Sequence, residues 1–586
     1  MISNHMLANV LYIDLTKKTF RKVRREDLVD KYIGGAGMAV QLLKEECPPG
    51  TDPFSPENPL ILAVGPLTAL FPLASKTVAM FKSPLSGNLG ESHAGGRSAM
   101  AIRFAGYGAI VITGASKSPV YISIHENKVQ FRDAVTLWGM KSCFTVGSII
   151  RRIERGSGYR SIMRIGRGGE NRVAYGAVTT ETYRHFGRLG MGAVMGSKNL
   201  KAIVVAGNRS IPIEDKKGYR KLYDLLYRQA TDKPLKKYHD VGTSVNISPL
   251  NLLKALPTRN LKSAVFEGAE QISGESMAEN YLGRRVACSH CPVGCIHLAA
   301  LRSPYQHTPY FYKTTMIGYD FELIYSLGSM LGIDDPEGML ELIDTVEKLC
   351  IDSMSTGVCL AWATEMMEKG LISQKETDGL NLKWGDAAVY VEAVQKIVEQ
   401  PNDFYQALAK GTAYASSVYG GKEFALNFGK NEMPGYHTGP AGYLGFLLGC
   451  RHSHLDNGGY SIDQKDLVEN TLTYKEIVDK ILAEEEWRQV LSALVVCFFA
   501  RAIYTPDVVR DALEIAGIPK SIDQINRIGR QVHREKYSFK FREGFSFDTL
   551  EIPERIFETP SPTMAFDRKF MQNAIAYAKE KISKDT

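Results

Sequence analysis

Three cysteines stand in Val286-Ala-Cys288-Ser-His-Cys291-Pro-Val-Gly-Cys295, and a fourth, Cys497, in Leu494-Val-Val-Cys497-Phe-Phe. A Cys-x2-Cys-x3-Cys loop can wrap three corners of a four-iron cluster while a distant thiolate closes the fourth. The spacing is therefore that of one iron-sulfur ligand set, and it predicts a redox enzyme. Pro292 and Gly294 lie inside the loop, where one fixes φ and the other frees it, so the backbone can curl around the sulfurs. Zinc shares the Cys-x2-Cys element, but structural zinc usually draws its ligands from two short pairs, and no second Cys-x2-Cys or His-x3-His follows. Covalent haem needs Cys-x2-Cys-His, whereas here the order is Cys295-Ile-His297. Cys47, Cys143, Cys350, Cys359 and Cys450 are scattered among apolar residues and read as small buried hydrophobes, with no disulfides.

Two glycine-rich segments also carry cations. One runs Arg184-His-Phe-Gly187-Arg-Leu-Gly190-Met-Gly192-Ala-Val-Met-Gly196-Ser-Lys198. The other runs Ser83-Pro-Leu-Ser-Gly87-Asn-Leu-Gly90-Glu-Ser-His93-Ala-Gly95-Gly96-Arg97, with Lys76 just before it. Such stretches let backbone approach a phosphorylated ligand while cations neutralise it. Neither is a P-loop or a dinucleotide fingerprint, because the lysine spacing is wrong and no clear helix opens after a strand. Glycine spacing alone reads better as tight turns; the two segments together favour an anionic cofactor.

These residues must be positioned by two kinds of element. The first third is β-rich: Val10 to Phe20 reads as two strands and a polar turn, and Leu60–Gly65, Ala109–Gly114, Val120–Ile124 and Ala202–Ala206 are short apolar runs bounded by glycine or charge. Beyond about residue 211 the period becomes helical, in Gly338–Leu349, Val358–Met367, Val389–Ile397 and Tyr405–Ala415. The fold class expected is α+β: a β-rich domain over 1–210, a helical domain with the cysteine loop over 211–420, and a helical domain with Cys497 over 421–586, the cluster lying between the two helical parts. No internal repeat is visible. The 586 residues, 44% hydrophobic, suffice for two or three cores. No apolar run is long enough to cross a bilayer, the nearest being Leu491–Ala500, and the N-terminus lacks a leader pattern, so a cytoplasmic protein is expected. The net charge of +7 is dispersed, which gives no case for nucleic acid and weakly suits an acidic electron carrier.

Over nearly its whole length the chain resembles the tungsten-containing aldehyde ferredoxin oxidoreductases. The resemblance rests on Gly187-Arg-Leu-Gly-Met-Gly-Ala-Val-Met-Gly-Ser-Lys-Asn-Leu-Lys-Ala-Ile203, Ser83-Pro-Leu-Ser-Gly87, Ala105-Gly-Tyr-Gly-Ala-Ile-Val-Ile112, the four cysteines and Asp352-Ser-Met-Ser-Thr-Gly357. Met433-Pro-Gly-Tyr-His-Thr-Gly439 and Arg451-His-Ser-His-Leu-Asp456 make it most similar to the broad-substrate branch. The resemblance implies tungsten, with molybdenum as the alternative, held by two pterins whose phosphates meet at magnesium, beside one 4Fe-4S cluster on Cys288, Cys291, Cys295 and Cys497. Carried over by position, Lys76, His93, Gly95, Arg184, His185 and Gly187 surround one pterin and the magnesium. Glu347, Asp352, Asp456, Ser492 and Val496 lie along the pterin-contacting segments. Lys76 and His93 depart from the family's usual arginine and asparagine, and Glu347-x2-Cys-Ile-Asp352 and Ser492-x2-Val-Val-Cys497 depart from its usual Asp-x2-Gly-Leu-Cys/Asp.

The activity implied is oxidation of an aldehyde by water to a carboxylic acid, with electrons leaving through the cluster to ferredoxin or an iron-sulfur partner subunit, in a homodimer or heterodimer. Glu322 matches the family's acid/base glutamate, and His454 the histidine near the metal's oxygen ligand. His452 is its rival, since in an extended segment the two point the same way. Two other readings stand beside this one. The chain is the catalytic subunit of a larger complex acting on a substrate such as an aromatic thioester, or an electron-transfer subunit without pterin.

Overall fold

The computed structural model describes residues 6–154, 158–180, 183–305, 307–469 and 471–585. Strands β1 (Asn9–Asp14), β2 (Thr19–Arg24), β3 (Leu60–Ala63), β4 (Thr77–Lys82), β5 (Leu89–Ala94) and β6 (Ala109–Thr113) make one sheet in the order β2-β1-β6-β3-β4-β5. Only the β1–β6 pair is parallel. Strands β7 (Val120–His125), β8 (Lys128–Asp133), β9 (Tyr159–Arg164), β10 (Val178–Thr179), β11 (His185–Phe186) and β12 (Leu200–Gly207) make a second, in the order β11-β10-β9-β12-β7-β8, again with one parallel pair, β7–β12. The expected apolar runs are all strands here.

Reading the second sheet from β8 gives the order of the first, strand for strand. The β-rich region is thus a structural duplication, which corrects the expectation of no repeat. Burial pattern and turn geometry fix strand order, and many different residues satisfy both, so the identity between halves need not survive. The two glycine-rich segments occupy equivalent places. Gly95 and Gly96 follow β5 and lead into the helix Ser98–Ala105; Gly187 to Gly190 follow β11 and lead into the helix Met191–Ser197. A helix therefore does follow a strand at both, contrary to the sequence reading. β5 and β11 are edge strands and touch each other, so the two glycine turns meet at the seam between sheets.

The remainder is mainly helical, as α+β predicts. Pro336–Leu349, Ser353–Glu368 and Ala387–Glu399 contain the periodic stretches, and each is N-capped by an aspartate, Asp335, Asp352 or Asp386. The stretch Tyr405–Ala415 instead divides into Asp403–Leu408 and Thr412–Tyr419, because Gly411 takes φ of 91° between them. Helical spacing also overlooked an antiparallel sheet of β13 (Leu282–Val286), β14 (Ile296–Tyr305) and β15 (Thr308–Tyr319). Its threonines and tyrosines favour a pleated surface. The cysteine loop joins β13 to β14. One apolar core extends from Leu7 to Ile582. No helix among the described residues is long and apolar enough to cross a membrane.

Candidate functional site

The four cysteines singled out by spacing come together. Cys288, Cys291 and Cys295 lie between β13 and β14, and Cys497 follows the helix Tyr474–Ala493. Each of the other five cysteines is buried, whereas these four keep partial exposure. Burial, then the charge of Cys288 and Cys497, pushes the Cys291 thiol up. Burial pushes Cys295 up to about 12, with Arg184 and Lys76 opposing it and Cys288 and Cys497 adding to it.

The β-rich region walls this position as well. Ser289 N–H donates to Gly96 O at 2.9 Å, Leu73 N–H to His290 O at 3.1 Å, Cys497 N–H to Leu73 O at 2.9 Å, and Lys76 N–H to Val495 O at 3.3 Å. A Cβ on Gly95 would stand 2.6 Å from Cys288 Sγ. The four cysteines are therefore walled by the β-rich region as well as by the helical parts. Ser492 and Val496 are buried, and Ser492 O lies where a Cβ on Gly35 would approach to 2.4 Å, so this segment packs against β-domain backbone.

Next to the sulfurs, β11 and its glycine turn present a row of polar groups. Arg184 Nη1 is 3.6 Å from Asp320 Oδ2, and Cys295 and Cys288 hold its charge against burial. Burial, then Arg184, pushes His185 down to about 3; its Nε2 lies 3.8 Å from Glu347 Oε1, and burial pushes Glu347 up. Arg188 Nη2 donates to Glu432 O at 2.6 Å, and its Nε lies 3.3 Å from Asp352 Oδ2. Asp352 also caps its helix through Met354 and Ser355 N–H, so it positions Arg188. A Cβ on Gly187 would meet nothing within 4 Å. His185 Nε2, Arg188 Nη1 and Thr180 Oγ1 have no hydrogen-bond partner. Leaving each such group unpaired costs about 1–3 kcal/mol. Orphaned donors beside open space form a cradle that a bound polar group would complete.

Glu322 and His454 face each other, with Nε2 3.1 Å from Oε1. Asp320 caps the helix Phe321–Leu327 by accepting from Glu322 and Leu323 N–H. Ser453 and Asp456 form a reciprocal cap on the helix His454–Asn457. Burial, then Asp320, pushes Glu322 up to about 8; burial, then Arg188, keeps His454 neutral. Near neutrality the pair shares one proton. Glu322 Oε2 and His454 Nδ1 have no partner, yet the Glu322 side chain keeps 19% exposure.

Sequence reasoning passed over the rings around this pair. Tyr436 lies 5.1 Å from the His454 ring, 4.7 Å from Tyr460 and 5.1 Å from Phe321, centroid to centroid. Tyr436 stands inside the Met433-Pro-Gly-Tyr motif, which was the available signal.

Three predicted site residues turn elsewhere. His452 takes φ of 56°, donates from Nδ1 to Phe446 O at 3.0 Å and accepts Lys540 Nζ at Nε2 at 3.0 Å. The two histidines diverge because a left-handed residue and a helix cap replace the extended segment expected, and of the two it is His454 that lies against Glu322. Asp456 accepts from Arg451 Nε, Arg451 N–H and Ser453 N–H, so its carboxylate orders the turn. His93 Nε2 is engaged with Glu91 Oε1 at 2.6 Å, and burial pushes it down to about 4.

Comparison with known proteins agrees with this geometry. The family profile described as aldehyde ferredoxin oxidoreductase, N-terminal domain, matches residues 10–207, and that for domains 2 and 3 matches residues 221–580. The chain is 33% identical over 558 residues to the tungsten-containing aldehyde ferredoxin oxidoreductase of Pyrococcus furiosus, covering 92% of this chain and 89% of that one. It is 34% identical over 556 residues to its namesake from Thermococcus kodakarensis, covering 92% and 89%. It is 31% identical over 426 residues to the aliphatic sulfonate oxidoreductase, WOR-like subunit, of Pyrococcus furiosus, covering 70% and 66%. Among solved structures, the active site complex BamBC of benzoyl coenzyme A reductase shares the fold, with a TM-score of 0.81 at 20% identity, over 98% of this chain and 94% of that one. With both profiles matched across nearly its full length, the chain belongs to the aldehyde ferredoxin oxidoreductase family.

Proposed function

We propose that this oxidoreductase converts an aldehyde and water to a carboxylic acid, two electrons and protons, using a tungsten or molybdenum bis-pterin, and delivers the electrons through a 4Fe-4S cluster. The observation that carries this reading is the Glu322–His454 pair, with an unpartnered polar atom on each residue and with the orphaned donors and four cysteines close by. Two structurally equivalent glycine turns at one seam suit two like ligands. Arg184, His185, Gly187, Arg188 and Glu347 would hold one pterin, Gly95 and the segment from Ser492 to Val496 border the other side, and Cys288, Cys291, Cys295 and Cys497 would hold the cluster. When bound, the metal centre accepts the electron pair and polarises the carbonyl oxygen.

The chain supplies the proton chemistry. With Glu322 ionised, His454 Nε2–H donates to Oε1 and leaves Oε2 open to take a proton from the attacking water. His454 stays uncharged, and its Nδ1 orients the oxygen being transferred. Phe321, Tyr436 and Tyr460 exclude water from the far side and favour a flat, apolar substrate body.

Magnesium is a poor fit at Lys76 and His93. The first is a cation and the second is engaged with Glu91, whose other oxygen lies 2.5 Å from Lys536 Nζ.

An acidic ferredoxin or iron-sulfur subunit suits the surface beside the cluster. From Leu282 to Tyr319 the chain has no aspartate or glutamate, and Arg284, Arg285, Arg302 and Lys313 are exposed. Membership of a larger complex is compatible with the same surface. Elemental analysis together with aldehyde-dependent viologen reduction tests the proposal. Tungsten or molybdenum, iron and dye reduction are expected together; a metal-replete sample inert to every aldehyde would overturn it.

A further inference from the structure

Cys450, Glu485 and His533 form a second group of ligand-type side chains, apart from the site above. Cys450 follows the helix Pro440–Leu448, while Glu485 and His533 lie within the helices Tyr474–Ala493 and Ile522–Arg542, which pack along each other. One ligand atom from each lies within 4.8 Å of the others, and all three residues are buried. This is the only such group of three among the described residues.

His533 Nε2 has no hydrogen-bond partner and points at Glu485 Oε1, 3.8 Å away. That is too long for a hydrogen bond, but close to the roughly 3.5 Å between donors around a tetrahedral ion with bonds of about 2.0–2.3 Å. Glu485 is held in place from behind: Cys450 N–H donates to Oε1 at 2.9 Å, and Asn457 Nδ2 donates to Oε2 at 3.1 Å. Such outer hydrogen bonds orient first-shell ligands. A thiol, a carboxylate and an imidazole carried by rigid helices are a donor set for a borderline divalent cation.

We propose that Cys450, Glu485 and His533 bind one zinc ion, with water as the fourth ligand. Binding exchanges the Cys450 S–H proton for a zinc–sulfur bond. Nearby charges are already matched: Arg451 Nε lies 2.5 Å from Asp456, and Lys536 lies 2.5 Å from Glu91. Lys540 has no carboxylate within ion-pair distance among the described residues. Its Nζ donates instead to Cys450 O at 3.1 Å and to His452 Nε2 at 3.0 Å. The ion would pin the turn before His454 to two long helices.

The test is zinc content and zinc-edge X-ray absorption of the holoenzyme from zinc-supplemented cells, measured beside iron. The expected result is about one zinc per chain with one sulfur and otherwise nitrogen or oxygen neighbours. Cys450→Ser and His533→Gln should both lose most of the zinc while keeping iron, and Cys359→Ser, at a buried cysteine elsewhere, should keep it. Asn457→Ala leaves all three ligands in place but removes the donor to Glu485 Oε2, along with contacts to Gly445 O and Gly459 N–H, and should weaken zinc retention against a chelator roughly 10–100-fold, even if the ligand variants fail to fold. A zinc-loaded holoenzyme that holds none, zinc retained in the variants, or several sulfurs around it would overturn the site. None of these readouts depends on aldehyde turnover.

Discussion

Glu322 is held as an acid by the fold, and this makes its two roles separable. Its folded value of about 8 lies above the usual 4.5, so between those values the folded chain binds the extra proton and stability falls as pH rises. Glu322→Gln removes that penalty. At pH 8 the full shift would correspond to about 5 kcal/mol; with 19% exposure a gain of about 1–3 kcal/mol is expected. Aldehyde-dependent turnover should meanwhile fall about 10²–10⁴-fold. Thermal melts and dye assays at pH 6 and pH 8 would show this: an active Gln variant, or one destabilised at pH 8, refutes the assignment. Because the ionised form is the working base, wild-type turnover should rise through about pH 8. The histidines give a second contrast. His454→Ala should lose turnover with little change in melting temperature. His452→Ala leaves Phe446 O and Lys540 short of a partner and should cost about 1–3 kcal/mol of stability. Types and spacing gave these residues no distinction from an ordinary helix end and a polar loop. Only the motif context separated them, and the φ of His452 was invisible to it.

At the scale of elements, the glycine turns after β5 and β11 are equivalent in position yet face different neighbours. A Cβ on Gly95 would press on Cys288 Sγ at 2.6 Å, while one on Gly187 meets open space. Gly95→Ala should therefore lower iron content, and Gly187→Ala should leave iron and melting temperature unchanged but reduce bound pterin and its metal. Equal loss of iron in both would show that the turns do not face separate groups. Six of the twelve strands of the two sheets, β1, β2, β3, β6, β7 and β12, were legible because short apolar runs end in glycine or charge, as in Ala109–Gly114 and Ala202–Ala206, whereas β4, β5 and β8 to β11 were not read. The duplication was not legible, since equal strand order needs only equal burial. β13 to β15 escaped notice for another reason: exposed residues on a projecting sheet do not alternate cleanly with apolar ones, and Tyr305, Tyr310 and Phe311 are all exposed.

At the scale of the whole molecule, the cysteine loop is continuous with that projecting sheet. β13 leads into Cys288 and Cys295 leads into β14, so whatever grips the sheet sits beside the cluster position. Tyr310 and Phe311 are 92% and 69% exposed, a cost to a lone chain that is recovered if a partner covers them. Arg302 lies over the Tyr312 ring at 4.8 Å, leaving basic and aromatic groups interleaved on one surface. Buried aromatic anchors set how long a complex lasts, while surrounding charge sets how fast an acidic partner arrives and makes that rate fall with salt. The two contributions can be told apart with one enzyme and two acceptors. Tyr310→Ser with Phe311→Ser should raise the KM for ferredoxin roughly tenfold and leave viologen reduction unchanged, because the dye needs no docking surface. Arg284→Glu with Arg285→Glu should slow ferredoxin reduction mainly at low ionic strength, the difference closing as salt rises. If ferredoxin reduction survives both pairs of changes at every ionic strength, electrons leave by another face, and the loop's attachment to the sheet serves only to hold the cysteines.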